Sequence, residues 1–136
     1  MSLRIAFAGT GGINKVHARA AQSLGLDLVA AVNHKPESMA AFCRDFGIQR
    51  QYLTVEALLK DGGVDALVVS TPNYLHAPQT IVALQAGVHV MVEKPMAMNA
   101  AEAEQMCEAA QQTGTLLMVA HCWRFHPLRP TACRAA

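Results

Sequence analysis

Short apolar runs alternate along this chain with longer stretches in which apolar residues recur at helical spacing. Residues 3–8 are an apolar run that ends in glycines, the pattern of a buried first strand. The next stretch sets Ile13, Val16, Ala20 and Leu24 on one helical face, with Gly25 as a C-terminal stop. Residues 28–32 read as a second strand, and Pro36 suits the first turn of a helix that runs to Phe46 and closes at Gly47. Thr54 can cap a short helix over residues 55–60. Residues 66–69 are another buried strand, after which Ala77, Ile81 and Leu84 line a helical face that ends before Gly87. Residues 88–92 follow as a strand. Asn99 and Glu102 have capping-box spacing for a helix with Ala103, Met106, Cys107 and Ala110 on one face, and residues 116–120 form the last strand.

Strands and helices therefore alternate throughout, which predicts an α/β fold: a doubly wound parallel sheet with right-handed crossovers and helices on both faces. The pattern covers residues 1–127 as one domain and breaks after Phe125, where Pro127 and Pro130 oppose a further helix. Residues 128–136 read as an irregular tail and as a point of truncation or of a shifted reading frame.

Composition narrows the picture. At 136 residues, 52% hydrophobic and 15% charged, the chain can bury the core of one domain. Aromatics are scarce beside Ala, Val, Leu and Met, a balance that suits helices packed on a buried parallel sheet better than a β-sandwich. The formal charge of +1, with no Lys/Arg cluster, gives no support for binding nucleic acid or a membrane surface. No apolar run approaches the roughly 20 residues of a membrane span, and the start runs directly into a strand rather than a signal peptide. Cys43, Cys107, Cys122 and Cys133 lack metal-ligand spacing. No metal site is expected, three of the thiols read as small buried hydrophobes, and a reducing cytoplasm fits best.

Candidate chemistry gathers where strands end. Gly9-Thr10-Gly11-Gly12-Ile13-Asn14 lies between the first strand and the first helix. A dinucleotide pyrophosphate needs close backbone approach and free N–H groups at a helix start, and such a turn provides both. Such a turn by itself is a weak signal; the strand before it and the helix after it favour nucleotide binding over a plain turn. Asn14 stands where the fingerprint has Gly or Ala, which predicts a looser helix–strand contact. At the end of the second strand, Asn33-His34-Lys35 replaces the Asp or Glu that would bind an NAD ribose diol. It reads equally as a polar turn before Pro36 and as a site where Lys35 and the Asn33 amide hold a 2′-phosphate, so the cofactor is NADP or NAD with a tilt to NADP. Ser70-Thr71-Pro72-Asn73 and His76 sit at the C-terminal end of a central strand, the edge at which open α/β sheets bind ligands; small side chains there let a cofactor lie across the strand end. His76 reads either as a ligand contact or as a helix-start residue facing water. Glu93-Lys94-Pro95 follows the strand at 88–92 and reads, taken alone, as a surface ion pair.

Taken together, Gly9-Thr10-Gly11-Gly12 with His17, Thr71-Pro72-Asn73 with His76, Glu93-Lys94-Pro95, and His121-Cys122-Trp123-Arg124-Phe125 resemble the glucose–fructose oxidoreductase/inositol dehydrogenase (Gfo/Idh/MocA) family. The resemblance runs from residue 3 to about 127. It implies a Rossmann-type NAD(P)-binding domain of an oxidoreductase that moves hydride between nicotinamide and the CH–OH group of a sugar, cyclitol or related polyol. Lys94 then matches the lysine beside the nicotinamide and the reacting hydroxyl, where an ammonium polarises a developing oxyanion and assists proton transfer, the more so if buried. Glu93 would orient the site, Pro95 matches a proline that is usually cis, and Trp123 and Arg124 fall in the last motif on the cofactor side. The resemblance also implies a second α/β domain that binds substrate and builds a homo-oligomer. This sequence does not contain it, so the 136-residue chain is expected to bind cofactor without being catalytically competent. A nucleotide sensor without catalysis is the alternative, which an intact Lys94 disfavours; an S-adenosylmethionine methyltransferase shares the Gly-rich turn but has no role for Glu93-Lys94-Pro95.

Overall fold

The computed structural model describes residues 2–125, so the expected tail and the boundary at residue 127 lie outside the described residues. Six strands alternate with five α-helices: β1 (Arg4–Ala8), α1 (Gly12–Ser23), β2 (Asp27–Val32), α2 (Pro36–Phe46), β3 (Arg50–Tyr52), α3 (Val55–Asp61), β4 (Ala66–Val69), α4 (His76–Gln85), β5 (His89–Val92), α5 (Ala100–Thr113) and β6 (Leu117–Val119). Short 3₁₀ turns at Asn73–Leu75 and Cys122–Phe125 complete the order. Every neighbouring strand pair is parallel, in the order β3-β2-β1-β4-β5-β6. The chain thus builds outward from β1 to β3, then returns to lay β4 on the other side of β1. The crevice at the carboxyl ends of β1 and β4 is the topological switch point of a doubly wound sheet.

Alternation along the strands sends side chains to two cores. Ile5, Phe7, Ala31 and Val68 meet Ala18 of α1 and Met39, Phe42, Cys43 and Phe46 of α2, with the Phe7 and Phe42 rings edge to face at 5.6 Å. Ala6, Ala8, Ala30, Val32, Leu67, Val69, Val90 and Val92 meet α3, α4 and α5 on the other face. The first face has two helices for six strands, and they crowd over β1 and β2. Met91 of β5 is only partly covered there, and Met118 of β6 is exposed.

The helix ends follow local chemistry. Gly47 closes α2 in the left-handed region, where a side chain is strained. Thr54 caps α3 by accepting from the Ala57 N–H. The Asn99–Glu102 box forms with a variation: Asn99 Oδ1 accepts from Glu102 N–H at 2.9 Å, while the Glu102 carboxylate accepts from Met98 N–H and from the Asn99 amide.

Three expectations change. The face of α1 that meets the sheet is Asn14 and Ala18, while Ile13, Val16, Ala20 and Leu24 are exposed. The helix starts so close to β1 that only small or hydrogen-bonding side chains fit beneath it, and the bulky ones turn outward. Cys107 and Cys122 are exposed; of the three thiols among the described residues only Cys43 is buried, and burial raises its pKa. On α5 Met106 and Ala109 are buried and Ala110 packs on the core as expected, while Cys107 turns outward. The strand β3 was not expected, because Arg50-Gln51-Tyr52 is short and polar and belongs to the sheet edge. No helix among the described residues is long and apolar enough to cross a membrane.

Candidate cofactor site

The glycine turn leaves β1 and enters α1 at the switch point. Gly9 has φ of 90°, and a Cβ built on it would lie 2.8 Å from the Ser70 carbonyl oxygen. Glycine is therefore required at position 9 by the protein itself, to let the β1 turn pass over the end of β4. Gly11 differs. It is the N-cap of α1 in extended conformation, and a Cβ there meets nothing within 4 Å; the same holds at Gly12. The start of α1 has neither a capping side chain nor an acidic residue in its first turn. The first N–H groups of a helix have no intrahelical partner, so this end presents donors and positive potential toward an open cradle.

Asn14 does not loosen the helix–strand contact. It is fully buried, and its Nδ2 donates to the carbonyl oxygens of Ala8 at 3.1 Å and Gly9 at 2.7 Å. The amide joins helix to strand end where the fingerprint uses close packing.

Polar side chains from three elements meet on the β2 side. Asn33 Nδ2 donates to Thr10 Oγ1, Thr10 and Ser38 share a hydroxyl hydrogen bond of 2.8 Å, and Asn33 Oδ1 accepts from Lys35 N–H at 3.0 Å. The network holds the Asn33 amide at the mouth of a cleft of about 610 Å³. That cleft is lined by Gly9, Thr10 and Gly11, by Asn33, His34 and Lys35, and by Ser70, Thr71 and Pro72.

A second cleft, of about 620 Å³, lies on the β5 side. Ile13, Ser70, Thr71, Asn73, His76, Glu93 and Lys94 line it, with His17, Met118 and Phe125 among the others. Ser70 and Thr71 belong to both clefts, so the two meet at the end of β4. Ser70 Oγ is buried there without a hydrogen-bond partner.

Glu93 is fastened rather than free. Its Oε1 meets His17 Nε2 at 2.9 Å, and its Oε2 accepts from Lys94 N–H at 3.1 Å. Glu93 thus pairs with His17 of α1, not with the Lys94 ammonium, which replaces the surface ion pair as the alternative reading. Lys94 is exposed along the second cleft, and the Lys94–Pro95 peptide is cis. His76 is 1% exposed, so it does not face water; Nδ1 lies 2.8 Å from the Pro95 carbonyl oxygen and Nε2 lies 2.9 Å from that of Thr71.

The structure thus brings most of the expected residues to one edge of the sheet. Gly12 lies on the cradle without lining either cleft. Trp123 and Arg124 are exposed and line neither, while their neighbours His121, Cys122 and Phe125 line the second. Sequence reasoning passed over Ser38 and Gln79; the latter accepts from Thr71 Oγ1 at 2.7 Å. Each sits in the first turn or two of a helix that follows a site loop, which is the signal that was available.

Residues 3–121 match the family described as "Oxidoreductase family, NAD-binding Rossmann fold" (GFO_IDH_MocA). The 4-carboxy-2-hydroxymuconate-6-semialdehyde dehydrogenase of a Sphingobium species is 34% identical over 126 residues, 92% of this chain and 40% of that protein. The D-xylose 1-dehydrogenase (NADP(+)) 2 of Haloferax volcanii is 35% identical over 125 residues, 91% of this chain and 38% of that protein. Among solved structures, the WlbA dehydrogenase of Bordetella pertussis in complex with NADH and UDP-GlcNAcA matches with a TM-score of 0.82 at 34% identity, covering 88% of this chain and 37% of that one. The chain spans about two fifths of the length of these relatives.

Proposed function

The chain belongs to the Gfo/Idh/MocA oxidoreductase family through its NAD-binding Rossmann fold, and from that premise we propose that its two joined clefts hold one nicotinamide dinucleotide for hydride transfer with the CH–OH group of a sugar, cyclitol or related polyol. The observation that carries the reading is the uncapped start of α1, with Gly11 and Gly12 open to space, at the junction of two clefts of similar volume. A pyrophosphate fits such a start because its charge meets helix N–H donors and no side chain intervenes. The orphaned Ser70 hydroxyl at the same junction supports the fit, since a buried hydroxyl without a partner favours a ligand that supplies one.

In this reading Thr10, Asn33, His34, Lys35 and Ser38 surround the adenosine ribose, and Ser70, Thr71, Pro72 and Asn73 support the cofactor across the end of β4. The bound nicotinamide supplies the hydride chemistry. Lys94 faces the reacting hydroxyl, its ammonium stabilising negative charge on that oxygen, while Glu93, held by His17, keeps the loop in place. NADP is preferred over NAD: no carboxylate ends β2 to repel a 2′-phosphate, and Lys35 lines that cleft.

Titration of the chain with NADPH and NADH tests both levels. NADPH is expected to bind about tenfold more tightly, a difference of roughly 1.4 kcal/mol. Gly11→Val should abolish binding of both while circular dichroism stays unchanged, because the added side chain has room in the protein but not beside a pyrophosphate. Unchanged affinity in Gly11→Val removes the cofactor from this turn. Equal affinities in the unaltered chain retire the NADP preference alone.

A further inference from the structure

The loop that carries Lys94 is fastened from two directions. On one side Glu93 is held by His17, and the Glu93 N–H donates to the Val69 carbonyl at 2.8 Å. On the other, His76 reaches from the start of α4 to the Pro95 carbonyl and, through its second nitrogen, to the Thr71 carbonyl. The His76 ring therefore lies within hydrogen-bond distance of carbonyl oxygens in both the loop after β4 and the loop after β5, the two that line the second cleft, and a ring with one N–H donates to one of them. With both nitrogens facing backbone oxygens in a site only 1% exposed, the ring is committed to the protein. From this geometry we infer that His76 is a positioning residue: its contact with the Pro95 carbonyl sets the place of Lys94 relative to the end of β4. The inference rests on the cofactor reading for its purpose, but the contact and its effect on Lys94 are measurable without any ligand.

The two contacts can be separated by carboxamides. The Asn side chain places its NH₂ near the position of the histidine Nδ1, and that of Gln reaches the position of Nε2. His76→Asn therefore places a donor at the Nδ1 position, toward the Pro95 carbonyl, and His76→Gln places one at the Nε2 position, toward that of Thr71. The His17–Glu93 fastening remains in both, so the loop retains one anchor. Lys94 is followed by the resonance of its ¹³C-methylated amine, identified by its absence in Lys94→Arg, and by amide hydrogen exchange at Lys94. In His76→Gln the resonance is expected to shift and exchange to accelerate about tenfold. In His76→Asn both are expected to stay near those of the unaltered chain. A residue that only fills space predicts equal loss of stability in the two variants with Lys94 unmoved.

Identical Lys94 signals in two folded variants would overturn the inference, as would a disturbance in His76→Asn equal to that in His76→Gln. If His76→Gln does not fold, the comparison passes to His76→Ala, in which Lys94 should be released, against His76→Asn, in which it should be restored. In the unaltered chain, scalar coupling is expected across the hydrogen bond from His76 Nδ1 to the Pro95 carbonyl carbon, and its absence would also overturn the inference. Added NADPH and NADH keep the two readings apart. If no resonance responds to either nucleotide, the cofactor proposal fails while the Lys94 comparison still stands on its own result.

Discussion

The two edges of the sheet are built differently. At the amino edge, Arg4 binds Asp65 through Nε at 3.0 Å and Nη2 at 2.7 Å, and its backbone N–H adds a third bond to the same carboxylate at 2.8 Å. Nearby, Arg50 joins Asp61, the Tyr52 hydroxyl and the Gly62 carbonyl, and Tyr52 itself donates to Asp61. Charges there are matched within the protein. At the carboxyl edge the chain turns through Gly9, Asn33, Ser70 and Glu93, contacts are mostly between neutral groups, and a helix start, a buried hydroxyl and an exposed ammonium are left facing two clefts. The first edge holds strands together; the second holds groups in readiness. Hydrogen bonding completed inside the protein serves register, and hydrogen bonding left open at a fixed place serves a ligand.

The sharpest way to break this contrast is at Gly9, which belongs to the carboxyl edge but is needed by the fold. Gly9→Ala combines a positive φ with a Cβ 2.8 Å from a backbone oxygen, so urea unfolding should show a loss of about 3 kcal/mol, a large share of a typical domain's stability. Unchanged stability would mean that the turn moves aside freely and that its closeness to Ser70 is not structural. A smaller effect is expected at Asn33. Asn33→Asp introduces a carboxylate into the cleft beside Lys35, and the ratio of NADPH to NADH affinity should fall at least tenfold without change in the unfolding midpoint. A ratio that does not move would remove the ribose from this end of β2.

The smallest effect belongs to the amino edge. The guanidinium of Arg4, with the Arg4 backbone N–H, holds the Asp65 carboxyl down at about 2, against roughly 3.9 for an unfolded chain. A lowered folded pKa stabilises above the unfolded value, so the contribution is present above about pH 4 and is lost as pH falls toward about 2. Because the pair is exposed, solvent and salt weaken it. Asp65→Asn should lower the unfolding midpoint slightly at neutral pH, leave nucleotide affinity unchanged, and flatten the stability profile between about pH 4 and 2. A drop in affinity would show that the edges are coupled.

How much of this was legible in the sequence differs with the kind of signal. Strand runs such as residues 66–69 and 28–32, and helix stops such as Gly47, are local, because burial and positive φ leave their mark on neighbouring residues. The direction of α1 was not local. Ile13, Val16 and Leu24 form a regular apolar stripe, yet the buried side is Asn14 and Ala18, since nearness to β1 rather than hydrophobicity decides which face fits. At the site, the glycine turn could be read because it stands between a strand and a helix, whereas Glu93-Lys94-Pro95 could be read only through the family resemblance that four motifs carry together. The roles of His76 and of Ser38 could not, because their partners Pro95 and Thr10 are distant in sequence and meet them only through the sheet order.

Asn14 carries a consequence for how such turns are recognised. A consensus pattern defines this position by what is missing, a side chain small enough to stay out of the way. Here the position is defined by what is supplied, an amide that donates to the last carbonyl of β1 and to that of Gly9 in the turn. Substituting the consensus glycine would erase those donors and soften the junction it was meant to tighten. A search that scores the turn by spelling will undervalue it, whereas one that asks how the strand's final carbonyl is satisfied will find it.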